Sequence, residues 1–424
     1  MQHQLSLKAT YIELMFKKQG DKIMEKYDIT KPYVLPVGMY KLNDNPSISF
    51  QLNRLVNFDL GDLDEIRKVG SQIKDMKSWK KIMLETADKE YAAGHAKSAM
   101  GYYRMAEFYM EYDDPDALKA WTKARELFFE YYGDFFEGEH PIVEKLAVPY
   151  DGYTMPVLKM NPDAESKGVI VAHGGFDSSY EEFFPQMMYL RQLGYTVYLF
   201  EGPGQGACIR LHNAPLIIEW EKPVKAVTEY FDLTDVTLIG ESLGGFYAPR
   251  ASAFDSRVMR CVSIAQFPSL KQNFTNHGFT SGLIVALLDV ILYGFGWLIN
   301  LLYKLKNGKG MMFFKTYFHR FGTNNAYKLA NILWKIDLRP IADKLTKDYL
   351  IIGGSKDTMA SRFSIGKQMY LLKNAKSITA REITEKEQGA DHCNCGNQQV
   401  AMDMIDLWIE SLKRRDETLK RVKV

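Results

Sequence analysis

A serine between two glycines is the strongest chemical signal in the sequence. Gly240, Ser242 and Gly244 match the pattern G-x-S-x-G, with the apolar segment VTLI before them and a helix-forming segment after them. A turn from strand to helix lifts the serine hydroxyl clear of a sheet, and the helix N-terminus adds partial positive charge where an oxyanion develops. We therefore predict that Ser242 is a nucleophile. The alternative is a glycine-rich turn with an idle serine.

A nucleophilic serine needs a histidine base and a carboxylate that orients the base. Three histidines follow Ser242, and only His392 also follows the last apolar strand segment. Asp357 comes just after the strand segment YLIIGG, where the acid of such a site is expected. Asp391 is a rival acid, but adjacent residues rarely face each other in this geometry. We predict Ser242, Asp357 and His392 as catalytic residues, against the alternative of a loop histidine and a capping aspartate.

An oxyanion hole needs two backbone N–H donors. Leu243, the residue after the nucleophile, is the first predicted donor. The second should come from the loop HGGF, residues 173–176, because glycine lets the main chain approach a substrate closely. We predict Gly175 as this donor, with Phe176 as the second choice. We expect His173 to be a buried histidine with a structural hydrogen bond.

Two further motifs have simpler interpretations. The segment EGPGQG, residues 201–206, lacks the Lys-Ser/Thr ending of a phosphate-binding P-loop and does not fit G-x-G-x-x-G. We interpret it as a structural turn. The segment HCNC, residues 392–395, has no second ligand pair at the spacing of a zinc site. We therefore expect neither a metal nor a cofactor.

The elements that would position these residues begin near Ile142. VEKLAVPY and TMPVLKM flank an Asp-Gly pair and predict a β-hairpin. Strand segments then alternate with helical segments, among them a helix over 216–231 and a last helix over 398–412. The predicted strands are GVIVA, TVYLF, VTLI, CVSIA, YLIIG and SITAREI. This alternation predicts an α/β fold with a mostly parallel sheet and helices on both faces.

The alternation divides the chain into regions. Residues 1–140 lack a strand pattern and predict an N-terminal all-α domain. Residues 141–424 form the predicted catalytic domain. Within it, the alternation stops over 267–345, and we interpret this insertion as a helical lid.

The lid contains the most apolar run of the chain, Gly282–Tyr303. Its length suits a membrane span, but Asp289 lies inside it, and a charge in the bilayer core is costly. A single span would also separate Ser242 from His392 by the membrane. We therefore predict lid helices and no transmembrane span. A lid of this composition could make weak contact with a membrane surface.

Composition excludes several classes of protein. The chain of 424 residues carries 54 Lys and Arg against 52 Asp and Glu, so the charge footprint of a nucleic-acid-binding protein is missing. A hydrophobic share of 46% excludes disordered and low-complexity chains. Four cysteines are too few for a disulfide scaffold, and the first residues lack a signal-peptide core, so we expect a cytoplasmic protein. The sequence is compatible with a homodimer.

Taken together, these motifs resemble the α/β-hydrolase superfamily. The resemblance rests on GESLGG, VAHGGFDSS, FEGPGQG, GGSKDTM and DHCNCG. More narrowly, the VPYDGYTMPVL hairpin after a helical region is similar to a group with an N-terminal helical domain. That group includes dihydroxypseudooxynicotine hydrolase, fungal-pigment hydrolases that shorten a polyketide, and the fermentation–respiration switch proteins.

The resemblance implies a Ser-Asp-His triad at Ser242, Asp357 and His392. It also implies hydrolysis of an ester or of a carbon–carbon bond in a β-diketone-like substrate. Some carbon–carbon hydrolases of the group carry an extra carboxylate downstream of the nucleophile, where this chain reads SIAQFPSLKQNFTNHG without an acid. We therefore place ester-type hydrolysis of a small or medium apolar acyl substrate first and carbon–carbon hydrolysis second. A non-catalytic binding or regulatory protein on the same scaffold is the third hypothesis.

Overall fold

The computed structural model describes residues 24–275, 286–287, 289–306, 308 and 310–422. The chain divides into two compact units. The first comprises Met1–Lys31 and Tyr40–His140, and the second comprises Pro32–Met39 and Pro141–Val424. We predicted the segment Pro32–Met39 as part of the helical domain, whereas its contacts place it in the second unit. The Gly38 N–H donates to the Gly396 carbonyl at 2.7 Å, and the Tyr33 N–H donates to the Gln192 side chain at 2.6 Å.

The first unit is helical over its described residues. Its helices are α1 (Pro46–Asn57), α2 (Leu63–Gln72), α3 (Met76–Ala93), α4 (Ala96–Phe108) and α5 (Ala117–Tyr131). The first three begin after residues whose side chains accept hydrogen bonds from free N–H groups of the first turn, namely Asn45, Asp62 and Asp75. Many aromatic residues of this region are buried in its core, and the largest of them include Trp79 and Phe128.

The second unit contains one eight-stranded sheet. In chain order its elements are β1 (Val143–Tyr150), β2 (Tyr153–Met160), β3 (Val169–His173), α6 (Tyr180–Gln192), β4 (Thr196–Phe200), α7 (Gly206–His212), α8 (Glu221–Tyr230), β5 (Val236–Glu241), α9 (Gly244–Ser252), β6 (Val258–Ile264), α10 (Leu270–Thr275), α11 (Gly296–Lys306), α12 (Met312–Arg320), α13 (Ala326–Trp334), β7 (Asp348–Gly354), α14 (Phe363–Leu371), β8 (Ser377–Ile383) and α15 (Gln398–Val422). The strand order is β1-β2-β4-β3-β5-β6-β7-β8.

The predicted α/β class is confirmed by the direction of the strands. β1 pairs with β2, and β2 with β4, in antiparallel fashion, while the remaining neighbours are parallel. Every residue of β5 and of β7 is buried, so both faces of the sheet are covered at these strands. The carboxyl ends of β3, β5 and β7 lie at one edge of the sheet. The loops that carry the predicted site residues therefore start from the same edge.

Local chemistry explains the hairpin. Asp151 and Gly152 connect β1 to β2 with φ values of 44° and 82°. A two-residue turn with both φ values positive matches the twist of the flanking strands, and Asp-Gly favours it. The predicted hairpin thus forms at the predicted residues.

Two predicted helices have different bounds. We expected a helix over 216–231, but α8 begins at Glu221. Pro223 has no N–H group for a hydrogen bond to residue 219, so it fits in the first turn of α8 but not in the interior of a helix that begins at residue 216. The last helix, α15, continues to Val422 instead of ending at residue 412. Arg415, in the added part, pairs with the buried Asp348 at 2.6 Å.

The described part of the 267–345 insertion contains the helices α10 to α13. Its residues 276–285, 288, 307 and 309 lie outside the described residues, and so does part of the apolar run Gly282–Tyr303. Asp289 accepts a hydrogen bond from Trp334 Nε1 at 2.8 Å and pairs with Lys271 Nζ at 2.6 Å. Over the part of the chain that is described, no helix combines the length and the apolar character needed to cross a membrane.

Candidate active site

Ser242 stands on a strained turn between β5 and α9. Its φ of 59° lies in the left-handed region, which is unusual for a residue with a side chain and is typical of functional turns. The Ser242 N–H donates to the Ile264 carbonyl at 3.0 Å and holds the turn. A side-chain carbon at Gly240 would lie 2.0 Å from the Gly244 carbonyl oxygen. A side-chain carbon at Gly244 would lie 2.6 Å from the Gly174 carbonyl oxygen, so neither position has room for a side chain.

The structure brings the three predicted catalytic side chains into contact. His392 Nε2 lies 2.9 Å from Ser242 Oγ, and His392 Nδ1 lies 2.8 Å from Asp357 Oδ2. With the ring proton on Nδ1, the imidazole donates to the carboxylate and accepts from the serine hydroxyl. This is the arrangement in which a histidine can remove a serine proton.

Asp357 is held in place by backbone donors. Its Oδ1 accepts hydrogen bonds from the N–H groups of Met359 and Ala360 at 2.8 and 2.7 Å, which leaves Oδ2 for the histidine. The rival Asp391 makes no side-chain hydrogen bond to His392 among the described residues. Burial and the charge of Asp357 raise the pKa of the Asp391 carboxyl. The geometry therefore favours Asp357 over Asp391 as the orienting acid.

The surroundings of His392 favour its charged form. Burial alone would disfavour the imidazolium, but Cys393 and Asp357 act in the opposite sense, and the pKa of His392 lies well above its ordinary value of 6.5. Burial raises the pKa of the Cys393 thiol, so Asp357 is the side chain that carries a negative charge beside the ring at neutral pH. Cys393 has a left-handed φ of 53°. We considered this cysteine only as a metal ligand, and its contact with the histidine was not predicted.

Glu241, the residue before the nucleophile, was also missed. It is buried at the end of β5, and burial raises the pKa of its carboxyl to about 8. Its Oε1 has no hydrogen-bond partner among the described residues. A carboxyl with this pKa is protonated at neutral pH. The sequence does contain a sign of this buried carboxyl, because Glu241 is the one acidic residue at the end of the otherwise apolar strand segment VTLIG.

The loop after β3 lies directly against the serine turn. A side-chain carbon at Gly175 would lie 2.7 Å from the Leu243 nitrogen and 3.0 Å from Ser242 Cβ. The Gly175 N–H, our first choice for the second oxyanion donor, donates to Ser178 Oγ at 2.5 Å. That donor is thus already used. Among the described residues, no hydrogen bond from the N–H of Leu243 or Phe176 is present, and we propose these two groups as the oxyanion donors.

His173 lies behind this loop and is buried. Its Nδ1 lies 3.0 Å from the Gly174 carbonyl oxygen, and its ring packs edge-on against Phe200. Burial lowers the pKa of His173 to about 4, so the ring is neutral at neutral pH. These features fit a structural histidine.

The described residues offer no metal site. No group of three or more His, Cys, Asp or Glu side chains among them could hold a metal ion. The HCNC segment contributes His392 to the contact with Ser242, and Cys395 is buried.

Comparison with known proteins assigns the chain to a family. A family model described as the alpha/beta hydrolase family matches residues 169–399, which include Ser242, Asp357 and His392. The alpha/beta hydrolase psoB of Aspergillus fumigatus is 28% identical over 275 residues, which are 55% of this chain and 61% of that protein. The 20-hydroxy-prefusarin hydrolase FUS2 of Gibberella moniliformis is 28% identical over 263 residues, 53% of this chain and 62% of that protein. The chain thus spans about three fifths of the length of these curated relatives.

A solved structure shows the same fold. The crystal structure of 2,6-dihydroxy-pseudo-oxynicotine hydrolase aligns with a TM-score of 0.56 and 17% sequence identity, and the alignment covers 84% of this chain and 94% of that one. The similarity therefore reaches beyond the residues matched by the family model. The predicted resemblance to this group of proteins is confirmed.

Proposed function

Because the chain belongs to the alpha/beta hydrolase family, we propose that it is a serine hydrolase that cleaves an ester-type acyl bond of a small or medium apolar substrate. The observation that carries this proposal is the continuous contact from Ser242 Oγ through the His392 ring to Asp357, with distances of 2.9 and 2.8 Å. In such an arrangement a base, its orienting acid and the nucleophile act as one unit.

The proposed reaction follows from these contacts. His392 Nε2 removes the Ser242 proton while Ser242 Oγ attacks the carbonyl carbon. The N–H groups of Leu243 and Phe176 stabilise the oxyanion of the tetrahedral intermediate. The imidazolium then gives its proton to the leaving alkoxide, and an acyl-enzyme remains. In the second half, His392 removes a proton from water as its oxygen attacks the acyl carbon. The bond from this carbon to Ser242 Oγ then breaks, the imidazolium returns its proton to Ser242 Oγ, and the carboxylic acid leaves.

The surroundings of Phe176 support an apolar substrate. The Phe176 ring lies 5.0 Å from Tyr317 and 6.0 Å from Phe321, between ring centroids, so the end of α12 packs against the loop after β3. Apolar rings beside an oxyanion donor favour an apolar acyl group. We propose that the insertion over 267–345 acts as the lid of this site.

Carbon–carbon bond hydrolysis of a β-diketone or polyketide-like substrate is the second candidate. It is what the resemblance of the motifs to hydrolases that shorten a polyketide implies, and the similar protein FUS2 is named as a hydrolase of 20-hydroxy-prefusarin. The same triad would serve this reaction. Against it, the sequence from Ser263 to Gly278 contains no Asp or Glu that could act as an additional acid–base group. Ester-type hydrolysis therefore stays first.

The test uses the full chain with p-nitrophenyl esters of graded acyl length and, in parallel, with β-diketones. We expect ester turnover, and covalent labelling by an activated fluorophosphonate at Ser242. The Ser242→Ala variant should show neither. Turnover of β-diketones alone would favour the second candidate. A wild-type chain that neither turns over nor is labelled would support a non-catalytic protein on this scaffold.

The cytoplasmic setting, the homodimer and the contact of the lid with a membrane surface stay predictions from the sequence. So does the expectation that the reaction needs no cofactor.

A further inference from the structure

The turn of residues 201–206 carries two buried polar side chains that the proposed reaction does not use. Glu201 is 1% exposed and Gln205 is fully buried. We predicted this segment only as a structural turn, but polar groups at such depth persist because they are hydrogen-bonded. Several of their partners lie in the loop that follows β3, which contains Phe176, or at the start of α6.

Glu201 ties the turn to the ends of that loop. Its Oε1 accepts a hydrogen bond from the Tyr180 N–H at 2.9 Å, where α6 begins, and its Oε2 accepts one from the Ala207 N–H at 2.8 Å. A side-chain carbon at Gly206 would lie 1.9 Å from Glu201 Oε1, so a larger residue there would displace the carboxylate. The carboxylate therefore anchors the turn and the start of α6 to each other.

Gln205 reaches the loop itself. Its Nε2 donates two hydrogen bonds, to the carbonyl oxygens of Gly174 and Gly175 at 2.8 and 2.9 Å. Its Oε1 accepts one from the Gly202 N–H at 3.1 Å. Both amide protons are thus used on two successive carbonyl groups of the loop after β3.

The second of these hydrogen bonds acts on the peptide that contains the proposed oxyanion donor. The Gly175 carbonyl and the Phe176 N–H belong to one planar trans peptide, in which the C=O and N–H bonds point in opposite directions. A group that fixes the carbonyl oxygen therefore also fixes the direction of the N–H. The neighbouring Gly175 N–H is held separately by Ser178 Oγ.

We propose that Gln205 is a positioning residue, which holds the Gly175–Phe176 peptide so that the Phe176 N–H faces the oxyanion beside Ser242. Gln205 touches neither the substrate nor the reacting atoms and acts through this one peptide plane. The inference rests on the proposed function, since it needs an oxyanion at Ser242. By this proposal, the EGPGQG turn contributes to the rate of the catalysed reaction as well as to the fold.

The chain offers a matched control for the test. Gln368 in α14 is also a fully buried glutamine, but neither of its amide atoms has a hydrogen-bond partner among the described residues. Gln205→Met and Gln368→Met remove the same amide from the same degree of burial. Steady-state kinetics with a p-nitrophenyl ester are measured on the full chain, with active sites counted by fluorophosphonate titration.

We expect Gln205→Met to lower kcat about 10-fold or more per titrated site while KM stays within about 3-fold, because an oxyanion donor acts on the transition state. Gln368→Met should keep the wild-type kcat per site. A boronic acid that mimics the tetrahedral intermediate should bind Gln205→Met more weakly by a similar factor. A purely structural role would change the number of active sites and leave kcat per site unaltered.

Gln205→Glu is the second variant and decides the question if Gln205→Met does not fold. It keeps the size and the acceptor for Gly202, but it donates at most one hydrogen bond, and only when protonated. Its kcat should therefore fall, relative to wild type, as pH rises. Wild-type kcat in the Gln205 variants, or an equal loss in Gln368→Met, would overturn the role of Gln205. A wild-type chain without turnover and without labelling of Ser242 would instead overturn the proposed function, and this inference with it.

Discussion

Asp357 Oδ2 lies 2.8 Å from His392 Nδ1, although the two residues are 35 positions apart in the chain. Asp357 follows β7, and His392 comes after β8, the parallel neighbour of β7 at the edge of the sheet. Two backbone N–H groups donate to the other carboxylate oxygen, Oδ1, and so fix the direction of Oδ2 toward the ring. Because only Asp357 of the two aspartates is hydrogen-bonded to His392, separate substitutions of Asp357 and Asp391 can show which of them orients the histidine.

Asp357→Asn should lower kcat/KM by about 10³-fold or more. The asparagine can still accept the two backbone hydrogen bonds with its oxygen, which turns its NH₂ group toward Nδ1 and favours the wrong histidine tautomer. Asp391→Asn is the matched control and should stay within about 3-fold of wild type. Equal losses in the two variants would show that Asp357 is not the orienting acid. The measurement is ester kinetics on both variants.

Ser242→Ala should abolish turnover, and His392→Gln should cost nearly as much. The double variant should lose little more than either single variant, because groups that act as a unit have non-additive effects. Unfolding free energies of Ser242→Ala and wild type should agree within about 1 kcal/mol, since the hydroxyl contributes to chemistry more than to packing. Multiplicative losses in the double variant would separate His392 from Ser242.

The acidic limb of the pH–rate profile should have its midpoint above pH 6.5. The general base must be neutral to accept the serine proton, and the neighbouring Cys393 and Asp357 raise the pKa of His392. As the pH falls through this pKa, the ring becomes an imidazolium and kcat/KM falls. The check is kcat/KM from pH 5 to 9 with an ester that does not titrate. A midpoint at or below 6.5 would contradict the raised pKa.

Glu241→Gln should change how stability depends on pH. The pKa of Glu241 is about 8 in the folded protein against 4.5 as its ordinary value, so the folded state binds more protons between these values. Stability of the wild type is therefore lost as the pH rises through this window, by at most about 1.4 kcal/mol per pH unit. The glutamine resembles the protonated acid but does not titrate, so the variant lacks this dependence of stability on pH. Urea unfolding at pH 5 and pH 8.5 should show the variant gaining on the wild type at the higher pH, and a constant difference would refute the assignment.

The sequence was sufficient to predict the order of strands and helices in the second unit and to select the three candidate catalytic residues, although the bounds of two helices differ. The segment VTLIGESLGG contains a buried strand, two glycines and the start of a helix, and each of these features depends on near neighbours in the chain. Alternation of strands and helices then requires a parallel sheet, and a parallel sheet gathers the loops after β5, β7 and β8 at one edge. The structure places Ser242, His392 and Asp357 in contact there, and their catalytic roles stay predictions.

Tertiary structure decided what depends on partners that are distant in sequence or on depth of burial. The sequence favours Gly175 over Phe176 as the second oxyanion donor, but in the folded loop the Gly175 N–H donates to Ser178 Oγ. We therefore propose the Phe176 N–H for this role. In the sequence, Gln205 reads only as a residue of a turn after β4. Its amide reaches the Gly175 carbonyl because β4 lies beside β3 in the folded sheet. The raised pKa of Glu241 likewise needs the surrounding layers that remove water from it. Pattern and spacing determine which residues meet, whereas the direction of a hydrogen bond and the cost of burying a charge are set by atoms that only folding brings together.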